Sequence, residues 1–267
     1  MSQSAYNVNF LRKTVLDMAF NGSTVHIPCA FSVIEILAVL YREHLYLAST
    51  PNDPQRDFLV LSKGHGVMAQ YACMLEQGWL KESDIKNYFA DGTALKGLSD
   101  AHVPGLEVTS GSLGHGLSVG VGMALGSKLR KTNQQVYAIV GDGESNEGSI
   151  WEALLFAAHW KLDNLCVIID ANGFQAMGTT QEVMHLSDLT KKLEAFDFDT
   201  IELDGHNEKE LTEAFHKLKA NKNGRPKAIV ANTVKGKGVS FMEGNNTWHY
   251  TRLNPTTYQN ALKELGF

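Results

Sequence analysis

Cysteine is scarce in this sequence. Cys29, Cys73 and Cys166 lie far apart and form no C-x-x-C pair. This leaves no disulfide framework and reads as reduced thiols of a cytosolic protein. Positive charge is in deficit: 24 Lys and Arg face 29 Asp and Glu, for a net charge of −5. Nucleic acid and acidic membrane surfaces are poor partners for such a chain. Long apolar runs are missing as well. No stretch is long enough to span a membrane, and the first residues, MSQSAYNVNFLRKTVLDMAF, hold no apolar signal core. A cytoplasmic location is therefore expected. There is no internal repeat and no low-complexity tract. The 24 glycines cluster in loops rather than in a linker. With 43% hydrophobic and 20% charged residues over 267 positions, the composition suits one large α/β domain spanning residues 1–267.

The informative stretch runs from Val136 to Thr180. Two apolar, β-rich runs, Val136–Val140 and Leu165–Ile169, end in Gly141-Asp142-Gly143 and Asp170-Ala171-Asn172-Gly173. Between them, Glu147–His159 carries Ile150, Trp151, Leu154, Leu155 and Ala158 at helical spacing. Strand, helix, strand at this length predicts parallel, neighbouring strands whose C-terminal ends share one sheet edge. Ligands of open α/β sheets bind at that edge. Asp142 and Asn172 then stand on adjacent strand tips. A carboxylate and a carboxamide there suit a hard divalent cation that shares its coordination with phosphate. Gly141 and Gly143 allow the backbone to approach that phosphate, and the helix N-terminus near Glu147 favours an anion. An isolated GDG would be no more than a turn; the second strand tip with Asn172 makes the phosphate–metal reading the stronger one.

Along the rest of the chain, helices are expected over residues 5–21, 32–44, 67–77, 82–89, 187–195, 208–220 and 255–265. Short strands are expected over 57–61, 200–203 and 228–232. Residues 107–126 begin as a glycine-rich loop and pass into a helix packed through small residues. Ser62-Lys63-Gly64-His65-Gly66, between a strand and a helix, again suits phosphate binding, with Lys63 read as a surface charge outside the site. Thr233-Val234-Lys235-Gly236-Lys237-Gly238 reads as a basic, flexible loop.

The motifs GDGESNEG, WEA, KLDNL, IIDANGFQ, SKGH, GSLGHGL and TVKGKGVSFME…WH together resemble the N-terminal half of transketolases. The resemblance runs from about residue 5 to 265. It implies a three-layer αβα fold with a mostly parallel central sheet, binding thiamine diphosphate and Mg²⁺ (or Ca²⁺ or Mn²⁺). The metal ligands it implies are Asp142, Asn172 and the carbonyl of Phe174. The cofactor-binding set is His65, Gly111, Ser112, Leu113, His115, Gly141, Asp142, Gly143, Glu144, Asn172 and His249. His26, His65, His249 and His102 are the implied substrate-facing and proton-moving side chains. Ala176 or Met177 would pack near the thiazolium ring, and Glu147 and Glu152 would lie at a subunit interface.

Three places depart from the family pattern. His26 sits in Thr24-Val25-His26-Ile27-Pro28-Cys29 rather than among small residues and glycines. The family's Gly-His-Pro histidine aligns with Leu98, leaving His102 displaced by three or four positions. Tyr250-Thr251-Arg252-Leu253 replaces a small, glycine-containing continuation. The chain also matches only the first domain of a transketolase, and its closing helix, ending KELGF, reads as a natural terminus. No acid here takes the part of the glutamate that activates the aminopyrimidine ring. The resemblance thus implies a second, pyrimidine-binding subunit in an α₂β₂ transketolase acting on sugars or sugar phosphates, with no nucleic acid or membrane partner. Two rival readings are a related enzyme for an unusual or modified sugar and a non-catalytic regulatory subunit.

Overall fold

The computed structural model describes residues 7–267. Helix α1 (Val8–Asn21) is capped by Asn7, whose side chain accepts from the Asn9 amide; positions 5 and 6 of the expected helix lie outside the described residues. The expected helix over 32–44 is instead α2 (Ile27–Phe31), α3 (Ile34–Val39) and a wider turn over Leu40–His44. Pro28 in the first turn of α2 starts helix early. Ser32 then breaks it, because its hydroxyl turns to the Cys29 carbonyl (3.2 Å) and the Asp170 carboxylate (2.8 Å).

Strand β1 (Phe58–Leu61) leads to α4 (Val67–Glu76) and α5 (Glu82–Lys86). Helix α5 stops short of the expected Phe89, which adopts a left-handed φ of 63°. Next come α6 (Gly116–Arg130), β2 (Val136–Gly141), α7 (Gly148–His159) and β3 (Leu165–Ala171). A small hairpin that the sequence did not announce, β4 (Phe174–Gln175) and β5 (Gly178–Thr179), folds directly after β3. Then follow α8 (Thr180–Val183), α9 (Leu189–Ala195), β6 (Asp199–Asp204), α10 (Glu208–Ala220), β7 (Lys227–Asn232) and α11 (Pro255–Leu265). No helix among the described residues is long and apolar enough to cross a membrane.

The main sheet has five strands in the order β1-β2-β3-β7-β6, and every pairing is parallel. Alternation along the strands divides their apolar residues between two cores. Tyr137, Ile139, Cys166, Ile168 and Ile229 face the layer that contains α1 to α4, α10 and α11. Val136, Ala138, Val140, Val167 and Val230 face the layer of α6, α7 and α9. Both faces of the inner strands are covered, as an all-parallel sheet requires, and the result is the expected three-layer αβα architecture. All five strands leave their C-terminal ends along one edge.

Candidate active site

The edge is organised from below by a buried polar knot. Asp170, the last inward-facing residue of β3, is fully buried. It accepts from the Lys63 ammonium, the Ser32 hydroxyl, the Asn172 amide (2.8 Å) and the Thr233 hydroxyl. Lys63 is itself 2% exposed and also donates to the Cys29 carbonyl at 3.1 Å. Burial alone would raise the Asp170 carboxyl, but Lys63 and the hydrogen bonds outweigh it and hold the group below its ordinary value. Burial likewise opposes the Lys63 charge, and Asp170 keeps it protonated. The expectation that Lys63 is a surface charge therefore does not hold. Its four-carbon stem folds inward because the Asp170 carboxylate, buried under the sheet edge, needs a cation there.

Above the knot stand the oxygen donors. Asp142, 5% exposed, accepts from the amides of Gly143 (2.8 Å) and Gly173 (2.6 Å). Burial and the neighbouring Asp170 charge push its carboxyl up to about 7. A carboxylate so placed is short of positive charge, which a bound divalent cation supplies. Asn172 gives its amide nitrogen to Asp170, so its oxygen is turned the other way, where it accepts from the Phe174 amide at 3.1 Å. Gly143 cannot be larger, since a Cβ would come within 2.6 Å of Gln175 in the β4–β5 hairpin. Glu144 is tied down by the protein: it accepts from Ser62, from the Gly114 amide (2.8 Å) and from the Gly141 amide (3.1 Å). It thereby braces the strand tips and the Gly114 loop.

Three imidazoles face this set. The ring of His26 lies 4.8 Å from that of His249 and 5.3 Å from that of His65, and the last two are 5.7 Å apart. His26 caps α2 with a left-handed φ of 69°, and its amide donates to the His249 carbonyl (3.2 Å). Burial lowers all three, aided by Lys235 at His26 and His249 and by Lys63 at His65; His249 falls to about 3. They are neutral at pH 7. Lys235, also 2% exposed, donates to Asn246 (2.7 Å) and to His249 Nδ1 (3.0 Å). A lysine is only a donor, so that contact makes Nδ1 the acceptor and leaves the proton on Nε2. The loop read as basic and flexible thus delivers one buried cation. Tyr250 closes the cluster edge-on, 4.5 Å from the His249 ring and 5.4 Å from that of His26.

Lys63, Lys235, Tyr250 and the three histidines line one cavity of about 640 Å³ together with the strand-tip residues, while Asp170 lies beneath it. Of the expected residues, His26, His65, Gly111, Leu113, Gly141, Asp142, Gly143, Glu144, Asn172, Phe174 and His249 line it, as do Ala176 and Met177. Ser112 and His115 do not. His115 is exposed at the start of α6, with Nδ1 against the Leu113 carbonyl at 3.2 Å. His102 is not brought in either: its side chain is 92% exposed and bonds to Asp100 at 2.7 Å. Leu98 lines the cavity instead. Reading residue by residue missed Lys63, Lys235 and Cys29, which line the cavity, and Asp170, which anchors it from below. For Lys63, Asp170 and Lys235 the useful signal was position, since each lies at or just past the C-terminal end of a strand; Cys29, inside α2, carried no such signal.

The cavity also fits a polar ligand. The His26 Nδ1, Asn146 Oδ1 and Gln175 Nε2 atoms are buried without a hydrogen-bond partner, and all three residues line it. Unpaired buried polar atoms are costly, and three in one cleft mark the place of a polar guest.

Residues 3–267 match the family model described as the thiamine diphosphate binding domain of transketolase. The chain belongs to the transketolase family. One subunit of an apulose-4-phosphate transketolase from Phocaeicola vulgatus is 37% identical over 96% of this chain and 91% of its own. One subunit of a 6-deoxy-6-sulfo-D-fructose transketolase from a Clostridium species is 38% identical over 97% and 95%. The solved transketolase of Leishmania mexicana superposes with a TM-score of 0.91 at 30% identity, over all of this chain and 42% of that one. This transketolase-family chain therefore matches individual transketolase subunits over nearly their whole length, but only about two fifths of that solved enzyme.

Proposed function

We propose that this chain is the diphosphate- and metal-binding subunit of a two-subunit transketolase, moving a two-carbon ketol unit from a ketose to an aldose. The observation that carries the reading is one cavity lined by Asp142, Asn172 and Phe174, beside a buried Lys63–Asp170 pair and faced by three neutral histidines; we read the Asp142 carboxylate, the Asn172 amide oxygen and the Phe174 carbonyl as the metal ligands. These donors suit Mg²⁺, Ca²⁺ or Mn²⁺. His65, Gly143 and His249 would hold the diphosphate. Thiamine diphosphate, when bound, supplies the carbanion stabilisation that ketol transfer needs.

The chain's own residues orient the sugar and move protons. His26, His65 and His249, neutral and shielded by burial, offer ring N–H donors to substrate hydroxyls and bare ring nitrogens to accept their protons. Lys235 fixes the His249 tautomer and so fixes which of those tasks each nitrogen performs. The second subunit brings the pyrimidine-binding side, in an α₂β₂ assembly. Exposed Leu155 and Phe156 on α7, with Trp160 just beyond it, support a subunit contact at the helix that Glu147 caps and that carries Glu152. We read residues 1–267 as a single domain, and the free, buried cysteines accord with the cytoplasm.

Leu98 in the cavity favours a second reading within the same chemistry, an enzyme for a modified sugar. Two relatives carry apulose-4-phosphate and 6-deoxy-6-sulfo-D-fructose in their names. Calorimetry with thiamine diphosphate and Mg²⁺, on this chain and on its mixture with the co-encoded subunit, tests the main reading. Metal-dependent binding that Asp142→Ala abolishes, with ketol transfer only in the mixture, is expected. Binding unchanged by Asp142→Ala would instead indicate a non-catalytic subunit. A donor panel of plain, phosphorylated and modified ketoses then separates the two enzymatic readings.

A further inference from the structure

Beside the oxygen set lies a second group of ligand atoms with different chemistry. A ring nitrogen of His26, the sulfur of Cys29 and a ring nitrogen of His249 all lie within 4.8 Å of one another. Cys29 Sγ and His249 Nδ1 are 3.5 Å apart. Tetrahedral zinc, with Zn–S near 2.3 Å and Zn–N near 2.0–2.1 Å, needs ligand-to-ligand edges of roughly 3.4–3.7 Å. One edge is already right, and the others close by side-chain rotation of about 1 Å. His26 Nδ1 is buried and unpartnered. His249 Nδ1 already presents its lone pair to a cation, the Lys235 ammonium at 3.0 Å. That ammonium keeps Asn246 Oδ1, at 2.7 Å, as an acceptor if it is displaced.

We propose that His26, Cys29 and His249 form a binding site for a thiophilic divalent cation, Zn²⁺ above all, distinct from the oxygen site at Asp142. Two nitrogens and a thiolate are soft donors that hard Mg²⁺ does not favour, while the carboxylate–amide–carbonyl set favours Mg²⁺ over zinc. The cavity leaves a fourth position open for water. On binding, the Cys29 thiol releases its proton to solvent and the thiolate joins the metal, so the site gains one net positive charge. Occupancy withdraws His26 and His249 from a sugar. Resting on the function proposed above, this makes the site a reversible inhibitory one, competitive with substrate and not relieved by Mg²⁺.

Cobalt(II) reports the site without any turnover. Titrated into the full chain without cofactor, it should give a one-to-one thiolate-to-cobalt absorption in the near ultraviolet and the intense visible bands of a low-coordinate ion, both bleached by Zn²⁺. Cys29→Ser should abolish the ultraviolet band, and His26→Gln should weaken binding at least about tenfold. Cys73→Ser and Cys166→Ser should keep the band, because both thiols are buried elsewhere, in the packing against the sheet. In the assembled enzyme, Zn²⁺ should inhibit, with Cys29→Ser at least about tenfold less sensitive. No band in the unaltered chain, or one that survives Cys29→Ser, overturns the proposal. Because the band needs neither thiamine diphosphate nor a partner, failure of the transketolase reading would leave it standing.

Discussion

Replacing Lys63 by Met removes an ammonium from a place where Asp170 has no exposure to water. Breaking a buried pair from one side costs about 3–5 kcal/mol. The chain has one escape, which is to protonate Asp170. From an ordinary carboxyl near 3.9, that costs about 4.2 kcal/mol at pH 7 and about 1.5 kcal/mol at pH 5. The loss relative to the unaltered chain should therefore be about 3–4 kcal/mol at pH 7 and below about 2 kcal/mol at pH 5. The sign follows from Asp170: without Lys63 its folded carboxyl rises above the unfolded value, so stability is present at low pH and drains away as pH rises. Urea unfolding followed by circular dichroism, at both pH values and with the unaltered chain alongside, measures the difference. Equal losses at pH 5 and pH 7, or a loss under about 1 kcal/mol at pH 7, would refute the buried-pair argument. Adding Asp170→Asn to Lys63→Met should restore much of the stability and flatten the pH dependence.

Glu144→Gln puts an amide NH₂ against one of the donors from Ser62, Gly114 or Gly141. A loss of about 1.5–3 kcal/mol is expected in urea unfolding. Gly143→Ala forces a Cβ to within 2.6 Å of Gln175, and thermal unfolding should register about 1–3 kcal/mol of overpacking. Burial and Lys235 hold His249 at about 3 when folded. The unfolded chain thus takes up a proton near pH 6.5 that the folded one refuses, so stability falls as pH drops below 6.5, by up to about 1.4 kcal/mol per unit for this group. His249→Gln should lessen that slope, and an unchanged slope between pH 6.5 and 5 would exclude His249 as its source.

The β-α-β rhythm was legible because the inner strands are apolar runs closed by glycine and acid, and such runs have few alternatives to a doubly covered parallel sheet. Asp142 and Asn172 were legible for the same reason: strand tips in a parallel sheet have known neighbours. What escaped was the direction of long side chains. Lys63 and Lys235 sit among glycines in segments that look like surface loops, and nothing local reveals that each tucks under the edge towards Asp170 or Asn246. The break at Ser32 escaped because its cause, Asp170, lies 138 positions away. His102 was named because its loop is where the family carries a Gly-His-Pro segment; in this chain its side chain lies against Asp100 and is exposed, and Leu98 faces the cavity.

The amide of His26 rests on the carbonyl of His249, joining the start of α2 to the segment just before α11. The two partners are 223 positions apart in the chain. One wall of the cavity thus depends on a contact of very high sequence separation, the kind whose loop closure is entropically the most demanding. A variant shortened before His249 should lose both one of the three imidazoles and the acceptor on which the His26 amide rests.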